Sequence, residues 1–282
     1  MQRERVADDI YVFTSELYAQ VTAGAIITPD GAILIDTLVF PEEARAIKNF
    51  LEQRLNCPVR YVINTHYHSD HTYGTCFFEN TQVVSHALCH DLLDTRGREG
   101  LAQAKLSAPE LRDVHLVLPH MVFESGKMTV HLGNKTVEMW HSPGHSPDSI
   151  VCLVKEDRVL FAADTLMPVP YFVDGNYDDF INSLHALKDG GFENVVQGHG
   201  EVVLRGEIES KIEDDLQYLA TIRHHVETAL DNQQPPDVLD EIDIESCGKS
   251  RIPLNGLVQD LHLANMQALY QSLQAERAGT FS

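Results

Sequence analysis

The sequence is poor in positive charge. Lysine and arginine number 21 against 42 aspartates and glutamates, a formal net charge of −21 over 282 residues. Sequence-independent binding to nucleic acid depends on basic residues that neutralise phosphates, so this balance argues against a nucleic-acid partner. No two cysteines form a CxxC pair, and Cys57, Cys76, Cys89, Cys152 and Cys247 are scattered and odd in number. That gives no disulfide framework and fits a reducing compartment, so the cytoplasm is the expected location. The opening MQRERVADDIYVF passes from charges into an alternating pattern without an apolar core or a small-residue cleavage site, and no secretory signal is expected. No apolar run approaches the ~20 residues that span a bilayer, which excludes a transmembrane helix and a membrane partner. Low-complexity runs are also missing, and at 43% hydrophobic residues the chain can bury a core. Its length allows one large domain, or one domain with an appendage.

What is present reads as β/α. Asp9 to Phe13, Ala25 to Thr28 and Ala32 to Asp36 are strand-like, the last two flanking the turn Pro29-Asp30-Gly31. Pro41 to Leu55 is a predicted helix, with Pro41 at its start, Glu42 and Glu43 in its first turn, and Ile47, Leu51 and Leu55 four apart. Val59 to Asn64 and Thr81 to Ser85 return to strand, residues 88–118 read as helical or irregular, and β signals recur from Met121 to Ala163. Asp178 to Lys188 is a predicted helix and Asn194 to Gln197 a strand, followed by a tight turn at Gly198-His199-Gly200. Beyond Gly206, apolar residues step by three or four to Leu230, and a last helix is expected from about Leu257 to Leu273. The order suggests two β/α halves forming two face-to-face sheets with helices outside, over residues 1–205, and C-terminal helices over 206–282.

The stretch Asn64 to Thr72, NTHYHSDHT, carries three histidines and an aspartate within six positions, at the end of a predicted strand. His66 and His68, two apart, point to the same side and can share one metal. Asp70 and His71 follow where the chain turns into a helix, and the natural reading gives them a second ion. Further ligand types end other strand-like runs: His145 in HSPGH, Asp164 after VLFAA, and His199 in QGHGE. Most histidines in a chain are structural. Here the density of HxHxDH, with three more ligand types at strand ends, outweighs that reading.

THYHSDH at Thr65 to His71, His145 in HSPGHSPDS, Asp164 in LFAADT, His199 in GHG and Leu34-Ile35-Asp36-Thr37 together resemble the five-motif signature of the metallo-β-lactamase superfamily, over about residues 9 to 205. The resemblance implies a four-layer αββα sandwich of the α/β class with the site at one edge of its sheets. It implies His66, His68 and His145 around one metal, Asp70, His71 and His199 around the other, and Asp164 bridging. Two zinc ions per chain are expected, and the donor set also suits iron or manganese. Asp36 is expected to orient the ligands. Two close cations would yield a bridging hydroxide near neutral pH, and with it hydrolysis. Asp70 is expected to orient that nucleophile and to pass its proton to the leaving group.

Departures from the family pattern bear on the substrate. Tyr73, Ala163 and Asp148 stand where glycines are usual. Tyr73 and Asp148 are expected near the pocket, and Tyr171 and Phe172 as an apolar wall, whereas His141 and the remaining histidines are expected to be structural. Asp164 takes the place of the cysteine of the commonest secreted zinc β-lactamases. The arginine and phenylalanine signature of glyoxalase II-like enzymes is missing, and the 34 residues between Asp164 and His199 leave no room for the domain inserted in nucleic-acid-cleaving members. A hydrolase of a small-molecule ester, lactone or thioester is the expectation. The alternatives are a mononuclear iron persulfide dioxygenase, which would use His66, His145 and Asp164, and a non-catalytic metal-binding scaffold. The C-terminal helices are expected to pack on the domain or to form a lid or a homo-oligomer interface.

Overall fold

Alternation within single strands sorts the side chains into layers. In β4 (Gly31–Ile35), Ile33 and Ile35 point one way and Ala32 and Leu34 the other, and all are buried. A strand buried on both faces belongs between two layers. β11 (Val159–Ala163) does the same, with Val159 and Phe161 on one side and Leu160 and Ala162 on the other. The computed structural model describes residues 1–279 and places these strands in two sheets; the last three residues of the expected C-terminal segment, 280–282, lie outside the described residues.

The first sheet has seven strands in sequence order: β1 (Gln2–Ala7), β2 (Ile10–Thr14), β3 (Thr22–Thr28), β4, β5 (Val59–Ile63), β6 (Gln82–His86) and β7 (Met121–Phe123). It is antiparallel up to β4 and parallel from β4 to β7. The second has six, in the order β13 (Val202–Leu204), β12 (Asn194–Gln197), β11, β10 (Ile150–Val154), β9 (Lys135–His141) and β8 (Lys127–Leu132), with β11 and β12 parallel. The sheets pack face to face through Ile26, Ile33, Ile35 and Ile63 on one side and Val137, Met139, Ile150 and Phe161 on the other. Helix α1 (Pro41–Asn49), continued by a π-helical turn Phe50–Arg54, covers the outer face of the first sheet through Ala44, Ile47 and Leu51. Short helices α2 (Ser69–Thr72), α3 (Ala87–Leu92) and α4 (Arg98–Ser107) follow β5 and β6. Helices α5 (Tyr177–Lys188), α6 (Ile208–Asp231) and α7 (Leu257–Gly279) cover the second sheet. The result is the expected αββα sandwich.

Strands β1 and β13 were not anticipated. β1 is largely exposed and charged and β13 is only three residues long, so neither carries the apolar pattern that marks a strand. The parallel strands β4, β5, β11 and β12 end at the same edge of the sandwich, and from them the chain delivers Asp36, His66, Asp164 and His199. Ligand sites in sheets of this kind form at such carboxyl ends.

Candidate metal centre

Sharp departures from strand geometry mark this edge. Asp36 has φ 56° and Ala163 has φ 45°, both in the left-handed region that costs a non-glycine residue energy. Ala163 therefore occupies a conformation natural to glycine, which accounts for glycine in the family pattern, and it turns the chain so that Asp164 leaves β11 toward the site. A Cβ on Gly198 would collide with Asp164 Oδ1, so the turn after β12 is open enough to admit that carboxylate.

Five imidazoles converge there, and each is anchored through its outer nitrogen. His66 Nδ1 lies 3.1 Å from Thr65 Oγ1, His68 Nε2 3.0 Å from Asp174 Oδ2, and His71 Nδ1 2.8 Å from Asp36 Oδ2. His145 Nδ1 is 2.8 Å from the Tyr171 carbonyl, and His199 Nδ1 2.8 Å from that of Ala19. Each outer partner can accept, so each ring donates outward and turns its second nitrogen inward, the arrangement that fixes a metal-binding tautomer. His68 Nδ1 then lies 3.1 Å from His66 Nε2 and 2.9 Å from His145 Nε2. Asp164 Oδ2 is 3.2 Å from His145 Nε2 and 3.4 Å from His199 Nε2, and Asp164 Oδ1 is 3.3 Å from His71 Nε2. Asp70 Oδ2 stands 3.4 Å from His199 Nε2.

The donor atoms form three groups that could each hold a metal ion: His66, His68 and His145; His66, His71 and Asp164; and Asp70, His71 and His199. Two donors at zinc–nitrogen distance around a tetrahedral ion are about 3.3–3.4 Å apart, close to the spacings here. His71 Nε2 and Asp164 Oδ1 are fully buried and face each other at 3.3 Å without a well-formed hydrogen bond, so a cation seated against them would satisfy both. The residues therefore fit metal ions.

The electrostatics divide the site. Burial alone would lower His199, but the Asp164 and Asp70 carboxylates lift it to about 10. His71 is likewise held well above the usual range, burial being outweighed by Asp164, Asp36 and Asp70. On the other side, burial drives His145 down to about 4 against the pull of Asp164, and burial with the neighbouring His71 and His68 keeps His66 well below its usual value. Asp70 and Asp164 stay ionised, because the facing imidazoles overcome the burial that would raise them. Protons on His71 and His199 thus balance these carboxylates where a cation would otherwise do so.

A cavity of about 330 Å³ opens onto this edge. Asp70, His68, His145, Asp164 and His199 form its floor, with Tyr18, Tyr171 and several aliphatic side chains as walls. Of the four residues expected at the pocket, Tyr171 lines it and the others require correction. Tyr73 is buried in an apolar cluster with Val39, Leu101 and Val114, behind the ligand loop. Asp148 is buried and accepts a hydrogen bond from Ser146 Oγ at 2.7 Å. Phe172 points into the core against Tyr177 and Phe180. His141 stacks on His86, ring centroids 4.2 Å apart, outside the three donor groups.

Asp174 escaped the sequence reading. Besides His68 Nε2 it receives Tyr67 Oη at 2.5 Å and Arg96 Nη1 at 2.8 Å. Its setting, VDGN, reads only as a turn, and nothing local signals a partner 106 residues away. Asn265 of α7 was missed too: it donates to the Pro170 carbonyl at 2.6 Å and accepts from Phe172 N at 3.2 Å, holding the loop whose Tyr171 carbonyl anchors His145.

Comparison with known proteins agrees with this geometry. A model of the metallo-beta-lactamase superfamily matches residues 19–223. The chain is 23% identical over 209 residues to a beta-lactamase-like protein 2 homolog of Caenorhabditis elegans, covering 71% of this chain and 64% of that one. It is 28% identical over 162 residues to the acyl-coenzyme A thioesterase MBLAC2 of Bos taurus, covering 51% and 57%. The chain thus spans less than two thirds of either relative. Among solved structures, the inverting sec-alkylsulfatase Pisa1 from Pseudomonas sp. matches with a TM-score of 0.75 at 17% identity, over 96% of this chain and 50% of that one.

Proposed function

The chain belongs to the metallo-beta-lactamase superfamily, and on that premise we propose that it is a dinuclear zinc hydrolase of a small-molecule ester, lactone or thioester. One observation carries the reading: five imidazoles are each tied down by the outer nitrogen, and their inner nitrogens meet Asp70 and Asp164 around two adjoining positions. His66, His68 and His145 would hold one ion and Asp70, His71 and His199 the other, with Asp164 within reach of both sets. Bound there, divalent cations supply a water acidic enough to attack at neutral pH and polarise the bond under attack.

The chain's own part is positioning. Asp36 and Asp174 fix the rings of His71 and His68 from behind. Asp70 is ionised and lines the cavity, so it can accept a proton from the nucleophile and hand it to the leaving group. Tyr18, whose phenol the Asp70 charge and burial hold above its usual pKa, remains a donor at the cavity wall. A mononuclear iron dioxygenase resting on His66, His145 and Asp164 would leave His68, His71 and His199 converged to no purpose. The thioesterase name of the bovine relative agrees with acyl transfer to water. All five cysteines are free and buried, which suits the cytoplasm, and among the described residues no helix is long and apolar enough to cross a membrane.

Metal analysis and a substrate screen test the proposal together. About two zinc ions per chain, with turnover of lactones, esters or thioesters that chelation abolishes, is the expected result. About one iron per chain with oxygen uptake on glutathione persulfide would replace it.

A further inference from the structure

Not all of the apolar surface on α7 serves the core. Val258, His262, Asn265 and Met266 are buried against the rest of the protein, whereas Leu257 and Leu261, four apart on another face, line the cavity above the expected metal ligands, Leu261 also touching the core behind it. Leu257 remains 37% exposed. The turn that leads into the helix is also unusual. Leu254, Asn255 and Gly256 adopt φ values of 54°, 56° and 91° in succession. The left-handed region is a genuine outlier for a bulky side chain, and such strain collects at functional sites. Its effect here is to set the Leu254 side chain, itself buried, into the same cavity. Met167 and Val173 complete the wall, and none of the residues lining the cavity is a lysine or arginine.

We propose that Leu254, Leu257 and Leu261, with Met167 and Val173, bind a straight apolar chain carried by the substrate, so that the enzyme selects uncharged esters or thioesters of medium-chain fatty acids. This rests on the hydrolase reading and specifies its substrate. Away from the ligand edge the wall is apolar and offers no lysine or arginine to a charged group at the far end of a substrate chain. The occupant is limited in size, because a cavity of about 330 Å³ lies at the small end of ligand sites. At roughly 30 Å³ per water-sized group it has room for about ten such groups, the ester and a chain of about six to eight carbons.

The test uses zinc-loaded protein and a series of p-nitrophenyl esters from acetyl to dodecanoyl. The ratio kcat/KM should rise by up to about fourfold per methylene and level off near eight carbons. In Leu257→Ser the octanoyl-to-acetyl ratio should fall about fivefold, and in Leu254→Ala by at least about tenfold. Calorimetric binding of 1-butanol, 1-hexanol and 1-octanol reads the same wall without turnover, and affinity should climb with chain length and drop in Leu257→Ser. Ester turnover that is indifferent to chain length would overturn the inference and leave the hydrolase standing. Chain-dependent alkanol binding with no turnover of any ester would leave the apolar-chain site standing and overturn the hydrolase reading, and with it the choice of an ester. Failure of both would remove both.

Discussion

Replacing Asp36 by asparagine should weaken one metal position more than the other. Asp36 Oδ1 accepts the Thr65 backbone N–H at 2.8 Å, so the amide oxygen of an asparagine must take that place. The amide nitrogen is then forced into the position of Oδ2, which accepts from Thr65 Oγ1 at 2.7 Å and from His71 Nδ1 at 2.8 Å. A donor facing His71 Nδ1 makes that nitrogen the acceptor and moves the ring proton to Nε2, the nitrogen meant for metal. Loss of such an outer partner typically lowers affinity by about 10–100-fold, or about 1.4–2.7 kcal/mol. In the other set His68 and His145 have anchors independent of Asp36, and only His66 leans on it indirectly, through Thr65 Oγ1, so that position should change less. Chelator competition on Asp36→Asn should therefore resolve one tight zinc and one weakened by that factor, with hydrolysis reduced in proportion to the second. Two ions bound with wild-type affinity would refute the argument, since it leaves no route by which His71 keeps its tautomer.

Other outcomes follow from groups farther out. Asp215 is buried between Lys211 Nζ at 2.5 Å and Lys249 Nζ at 2.7 Å, so Asp215→Ala strands the buried Lys249 ammonium and leaves the partly buried Lys211 only the Met167 carbonyl; a cost of about 3–5 kcal/mol should lower Tm by about 5–8 °C in calorimetry. Asn265→Ala leaves Phe172 N and the Pro170 carbonyl unpaired at about 1–3 kcal/mol each, and should weaken zinc at the three-histidine set in chelator competition as well as lowering Tm. In metal-free protein His199, raised to about 10 from 6.5, contributes stability that is complete below pH 6.5 and lost as pH climbs toward 10. His145, lowered to about 4 from 6.5, costs stability as pH falls between those values. Melting temperature without metal should peak near pH 6.5, and zinc, which displaces both protons, should flatten the curve; metal-free protein that gained stability from pH 7 to pH 10 would contradict the assignment.

Local pattern revealed part of the site. Strand followed by turn is written in VRYVINTHYHSDH and in VLFAAD, and period-two geometry sends His66 and His68 the same way without knowledge of anything distant. Direction failed one step later. Tyr73 follows α2 so closely that it was expected beside the ligands, yet the helical turn points it to the opposite side, into the cluster around Leu101. Phe172 and Tyr171 are adjacent, and only one of two neighbouring side chains in an extended loop can face the cavity. The parts that could not be read were those made by pairing across long separations, such as His68 with Asp174 and the Pro170 to Phe172 loop with Asn265. A turn aspartate or a helical asparagine looks the same in sequence whether or not it has such a partner.

That long-range pairing alters the part played by the C-terminal helices. A division at residue 205 suits the motif order, but the second sheet's outer face, α5, α6 and α7 share one apolar cluster. Lys211 of α6 donates to the Met167 carbonyl at 2.7 Å, and Asn265 of α7 grips Pro170 and Phe172. Both contacts lie in the loop between Asp164 and Asp174, which carries Asp164 at one end and the anchor of His68 at the other, with the carbonyl that orients His145 between them. A loop with so many duties needs its backbone fixed, and no strand or helix of the sandwich runs through it. The helices supply that constraint, and their first turn adds the wall of the cavity. On the proposed function, metal geometry and substrate choice would be coupled through this one loop, and a change in α7 should be felt at His145 before it is felt anywhere else in the site.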